Sequence, residues 1–140
     1  FKDLLEKIRI VPVLTVTTIE EAVLTCKALQ SGGINAAEIT LRTAAGLASI
    51  EAVKSELSDF IVGAGTVKTT ADMEQVAKLG VDFAVSPGLT DELEKCADAL
   101  SLAFLPGVAT ASELMRGLAA GRHCFKLSEL SRCCLHRRIR

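Results

Sequence analysis

Residues 37–42 read Ala37-Glu38-Ile39-Thr40-Leu41-Arg42. As a strand this stretch divides cleanly, because side chains alternate sides. Ala37, Ile39 and Leu41 share one face, and Glu38, Thr40 and Arg42 share the other. A strand inside a parallel sheet is ordinarily apolar on both faces. Taken alone, the segment reads more naturally as an edge strand with one wet face. The sharper alternative is a polar pocket lined by strand ends, and the flanking sequence bears on the choice.

Working outward, apolar runs begin near Ile10, Ile34, Phe60, Val81, Leu102 and His123. Between them lie amphipathic stretches that predict helices over 19–30, 44–57, 71–79, 91–99 and 111–120. Thr18 with Glu21, and Thr110 with Glu113, have the spacing of capping boxes. Gly32-Gly33, Gly80 and Gly121 stand where helices end. Repeated strand–helix units predict an α/β fold with a parallel sheet and right-handed crossovers.

An open doubly wound sheet and a closed (β/α)8 barrel both accept that pattern. Gly63-Ala64-Gly65 invites a dinucleotide loop, but Lys68 occupies the place of the third glycine. Repeats of this length suit a compact barrel, which needs eight strands where six are read. The 13 residues after Leu127 cannot hold two more units. Residues 1–127 are therefore expected to form a partial barrel of about six βα units. Residues 128–140 show no period and carry Arg132, Arg137, Arg138 and Arg140, so they are expected to be an aberrant basic tail outside the fold.

The 140 residues are 49% hydrophobic with a net charge of −1, which fits a globular chain and gives no electrostatic reason for nucleic acid or anionic membrane as partner. No apolar run approaches the length of a membrane span. Five cysteines without Cys-x-x-Cys spacing and two scattered histidines suggest reduced thiols in a cytoplasmic protein with no metal site.

In a barrel, the carboxyl ends of the strands carry the chemistry. Glu38, Thr40 and Arg42 then converge with Thr66, with Ser86-Pro87-Gly88 and with Lys126. A lone strand lysine is more often an edge-protecting charge. One that faces a glutamate at a central strand end can instead attack a carbonyl as a free amine and form a Schiff base.

Ile10-Val11-Pro12-Val13, Glu38 to Thr43, Val62 to Val67, Val85-Ser86-Pro87-Gly88, Leu105-Pro106-Gly107-Val108 and Phe125-Lys126-Leu127 together resemble the 2-keto-3-deoxy-6-phosphogluconate and 4-hydroxy-2-oxoglutarate aldolases. The resemblance runs from about residue 8 to residue 127. It implies a class I aldolase with a (β/α)8 barrel, a homotrimer that needs no cofactor or metal. Lys126 would form the imine with a small-molecule 2-keto acid, and Glu38 would be its acid/base partner. Arg42 and Thr66 would hold the substrate carboxylate, and Pro87 would form a pocket wall. The implied products are pyruvate with glyceraldehyde 3-phosphate, or pyruvate with glyoxylate.

Departures accompany the likeness. Ser128-Glu129-Leu130-Ser131 stands where the family continues Phe-Pro-Ala-Glu. Thr15 stands where some relatives carry arginine. The last two strands, and the Gly-rich loops that would hold a substrate phosphate, have no counterpart, so little turnover is expected of this chain alone. Pro12 argues against a central first strand. Two other readings remain open: an inactive fragment acting only by association with other subunits, and a barrel enzyme using Glu38 as a base without an imine.

Overall fold

The computed structural model describes Leu4 and residues 8–128. In chain order the elements are β1 (Val13–Leu14), α1 (Ile19–Ser31), β2 (Ala36–Thr40), α2 (Gly46–Glu56), β3 (Ile61–Gly65), α3 (Thr70–Lys78), β4 (Phe83–Val85), α4 (Asp91–Ala99), β5 (Phe104–Leu105), β6 (Gly107–Val108), α5 (Ala111–Ala119) and β7 (Lys126–Leu127). Every strand pairing is parallel. β1 to β5 form one sheet in sequence order, and β6 pairs with β7. The fold is α/β of the barrel type, an incomplete barrel.

Six expected strands appear as seven because the fifth run breaks at Pro106. Proline has no N–H to donate to a ladder. Its carbonyl still accepts from Lys126 N at 3.0 Å, and Gly107 N donates to Ser86 O at 3.0 Å. The chain thus leaves β4 as its partner on one side of Pro106 and takes up β7 on the other. The sixth run is shorter than expected. Residues 123–125 are not strand, and the Phe125 ring instead packs over Gly117, where a Cβ would collide with it.

β2 corrects the edge-strand expectation. It lies between β1 and β3, and all five of its residues are buried. Pro12 raises no conflict, because it precedes β1 and offers its carbonyl to Glu38 N at 2.8 Å.

One face of the sheet and the helices share a single core. Ala37, Ile39, Val62, Ala64, Ala84 and Phe104 pack with Ala22, Cys26, Ile50, Val53, Met73, Val76, Leu93 and Ala97. The opposite face carries Glu38, Gly63 and Phe83 in register. Of the five helices α1 to α5, four start at a threonine whose side chain accepts a backbone N–H: Thr18, Thr69, Thr90 and Thr110. Thr110 with Glu113 completes a capping box, and so does Thr69 with Asp72. Glu21 behaves differently. Its carboxylate reaches past Thr18 to the Thr17 backbone N–H and hydroxyl, at 2.8 and 2.9 Å.

Candidate active site

Glu38 on β2 and Lys126 on β7 lie four strand steps apart, roughly 19 Å if the sheet were flat. No lysine and glutamate span that distance. Yet Lys126 Nζ lies 3.1 and 3.0 Å from the two Glu38 oxygens. The sheet must therefore curl until its two sides approach across the inner face. Glu38 is almost wholly buried, at 5% side-chain exposure, and Lys126 is about one-third exposed at 35%.

Two glycines on β3 make room for this arrangement. A Cβ on Gly65 would overlap the Glu38 carboxylate, and one on Gly63 would overlap the Phe83 ring. The Gly-Ala-Gly segment is thus a strand that yields volume to its neighbours, not a phosphate loop.

The carboxyl ends of β2, β3, β4 and β7 line one pocket of about 370 Å³, formed by Glu38, Arg42, Thr66, Val85, Ser86, Pro87, Lys126, Leu127 and Ser128. All five residues singled out from the sequence, Glu38, Arg42, Thr66, Pro87 and Lys126, lie on its wall. Arg42 Nε donates to Thr66 Oγ1 at 3.2 Å. Thr66 holds a left-handed backbone, φ 63°, which is rare and strained for a β-branched residue. Thr15 and Thr40 hydroxyls stand 3.0 Å apart, extending the row of polar groups to the end of β1.

Two polar pocket residues, Ser86 and Ser128, have no role assigned from the sequence. Ser86 is buried, and its hydroxyl donates to the Gly88 carbonyl. Ser128, assigned to the tail, still belongs to the sheet: its N–H donates to Val108 O at 2.9 Å and its hydroxyl to Pro87 O at 3.0 Å. Continuing the alternation of β7 past Lys126 would have revealed it. Residues 129–140, the rest of the expected tail, lie outside the described residues. Among the described residues, no group of three His, Cys, Asp or Glu side chains is placed to hold a metal ion, and no helix is long and apolar enough to cross a membrane.

A curled parallel sheet, helices on one face and an amine–carboxylate pair at the strand ends define an α/β barrel-type protein with its site in the usual barrel location. The comparisons narrow this further. Residues 1–131 match the family model "Aldolase: KDPG and KHG aldolase". The 2-dehydro-3-deoxy-phosphogluconate aldolase of Pseudoalteromonas atlantica is 41% identical over 125 residues, 89% of this chain and 58% of that protein. The KHG/KDPG aldolase of Escherichia coli K12 is 43% identical, covering 84% of this chain and 55% of that protein. Among solved structures, the Legionella pneumophila KDPG aldolase, with pyruvate captured as a covalent carbinolamine intermediate, superimposes with a TM-score of 0.81 at 38% identity, covering 84% of this chain and 57% of that one. This chain belongs to the KDPG and KHG aldolase family. It spans a little over half the length of the relatives it matches.

Proposed function

We propose that the chain carries the imine-forming site of a class I aldolase acting on 2-keto acids with a hydroxyl two carbons from the ketone. The observation that carries this reading is the contact of Lys126 Nζ with both Glu38 oxygens, on the same pocket as Arg42 and Thr66. A carboxylate beside the ammonium can take its proton, which leaves a neutral amine to attack the C2 carbonyl. The carbinolamine loses water to give an imine. The C3–C4 bond then breaks, its electrons moving to the imine nitrogen while the C4 hydroxyl gives up its proton and leaves as an aldehyde. Protonation of the enamine at C3 and hydrolysis release pyruvate and restore the lysine. Glu38, moving protons through a water, serves these transfers. The Arg42 guanidinium, with the Thr66 hydroxyl beside it, offers the paired donors that a carboxylate accepts.

The substrates proposed are 2-keto-3-deoxy-6-phosphogluconate, giving pyruvate and glyceraldehyde 3-phosphate, and 4-hydroxy-2-oxoglutarate, giving pyruvate and glyoxylate. The family resemblance and the relatives' names support this choice. A cytoplasmic homotrimer belongs to the same proposal. For the 140-residue chain alone, weak turnover is expected, because Lys126 is partly open to solvent and sits on a strand of two residues.

The test is reduction with borohydride in the presence of pyruvate. A mass gain of one pyruvate, less one water and plus two hydrogens, mapped to Lys126 and lost in Lys126→Ala, is expected. Trapping elsewhere, or none, overturns the reading.

A further inference from the structure

The geometry points to Ser128 as the positioning residue that holds Lys126 opposite Glu38, by tying β7 to the loop after β4. This rests on the imine-forming role of Lys126 proposed above. β7 is only Lys126–Leu127, and β6 is its strand partner. A two-residue strand leaves its lysine with little to fix its direction. Ser128 supplies a second anchor on a different element. Its hydroxyl donates to Pro87 O at 3.0 Å, across 41 residues of chain.

The anchor point is itself rigid. Ser86 N donates to Leu105 O at 3.3 Å, Gly107 N donates to Ser86 O at 3.0 Å, and the Ser86 hydroxyl closes onto Gly88 O. Space for the tie is provided by Gly107. A Cβ there would stand 2.5 Å from both Pro87 O and Ser128 Oγ, so any side chain at 107 would push the two apart. Alternation along β7 puts Lys126 and Ser128 on the same side, toward the pocket, while Leu127 is largely exposed. The hydroxyl therefore acts on the wall that faces Glu38 and reaches the reacting amine only through β7.

Ser128→Ala removes the tie and leaves the backbone free to form its ladder. Ser128→Thr keeps a hydroxyl at the same place. With one exposed hydrogen bond lost, pyruvate trapping at Lys126 is expected to slow roughly fivefold or more in Ser128→Ala, with the melting temperature lower by no more than a few degrees, and to recover in Ser128→Thr. A second readout needs no chemistry: hydrogen exchange at the Lys126 and Ser128 amides is expected to speed up by a similar factor in Ser128→Ala and to return to the parent rate in Ser128→Thr. Parent-like trapping in Ser128→Ala overturns the proposal, and so does equal loss in both variants. Should the unsubstituted chain trap no pyruvate, the function above fails, and the exchange rates alone decide the tie. Unchanged exchange in Ser128→Ala then overturns it.

Discussion

Replacing Gly65 by alanine puts one methyl group where the Glu38 carboxylate lies. The added Cβ would overlap Glu38 Oε1 and stand 2.7 Å from Cγ and Cδ. The backbone accepts alanine there, since Gly65 is not among the positive-φ glycines, so the collision is the whole effect. Glu38 is nearly buried and held by Lys126 at 3.1 and 3.0 Å. Overpacking of this kind costs about 1–3 kcal/mol. Turning the carboxylate away from Lys126 loses charge-assisted hydrogen bonds, of which roughly 1 kcal/mol survives discounting for the partly exposed amine. The expected total is about 2–4 kcal/mol. For a domain of this size that corresponds to a Tm lower by roughly 6–20 °C. Pyruvate trapping should fall with it, since the carboxylate no longer faces the amine. The assay is a thermal melt of Gly65→Ala, Glu38→Ala and the double variant, with trapping measured on the first. Removing the Glu38 side chain also removes the collision, so the double variant should be clearly more stable than the sum of the two singles predicts. A parent-like melt for Gly65→Ala, or strict additivity in the cycle, would refute the reasoning.

Thr66→Gly relieves the left-handed backbone at residue 66 but takes away the hydroxyl beside Arg42. Stability should change by less than about 1 kcal/mol, because the relief of strain offsets the greater freedom of glycine in the unfolded chain, while the pyruvate concentration giving half-maximal trapping rises. Glu113 accepts from the Ala109 and Thr110 backbone N–H groups, which hold its carboxyl below the usual value for a glutamate, 4.5. A lowered folded-state value adds stability above pH 4.5 that is lost as pH falls through that lowered value. Glu113→Gln should therefore melt below the parent at pH 7, and the two curves should converge as the medium becomes more acid than pH 4.5. Burial pushes the Cys26 thiol up to about 11. Its reaction with a thiol reagent at pH 8 should be far slower in the folded chain than in denaturant, and equal rates would show an open core.

Strand and helix order was legible because the periods of the apolar residues are strong and threonines mark the helix starts. Thr18 and Thr110 announced their helices correctly, although Glu21 bonds to Thr17 in a way that the Thr18–Glu21 spacing alone cannot distinguish. The site was partly legible, since Glu38, Arg42, Thr66, Pro87 and Lys126 fall at successive strand ends. Three features were hidden for physical reasons. Residues 37–42 alternate just as an edge strand would, and only closure of the sheet turns that polar face inward. Pro106 has no N–H to donate to a ladder, but its effect on strand pairing depends on which neighbour lies on each side. Ser128 opens a segment of foreign composition, and composition says nothing about a ladder that continues one residue further.

The Lys126–Glu38 contact closes a span of 88 residues, whereas neighbouring strands pair across only 19 to 25 (Gly107 with Lys126, Glu38 with Gly63). Closing the longer span costs about 1 kcal/mol more in chain entropy than a single strand pairing. Local pairings can form early and independently, but the ion pair needs every one of them in place. The site is thus among the last parts of the molecule to assemble during folding, and the first to be lost when any strand between β2 and β7 slips out of register.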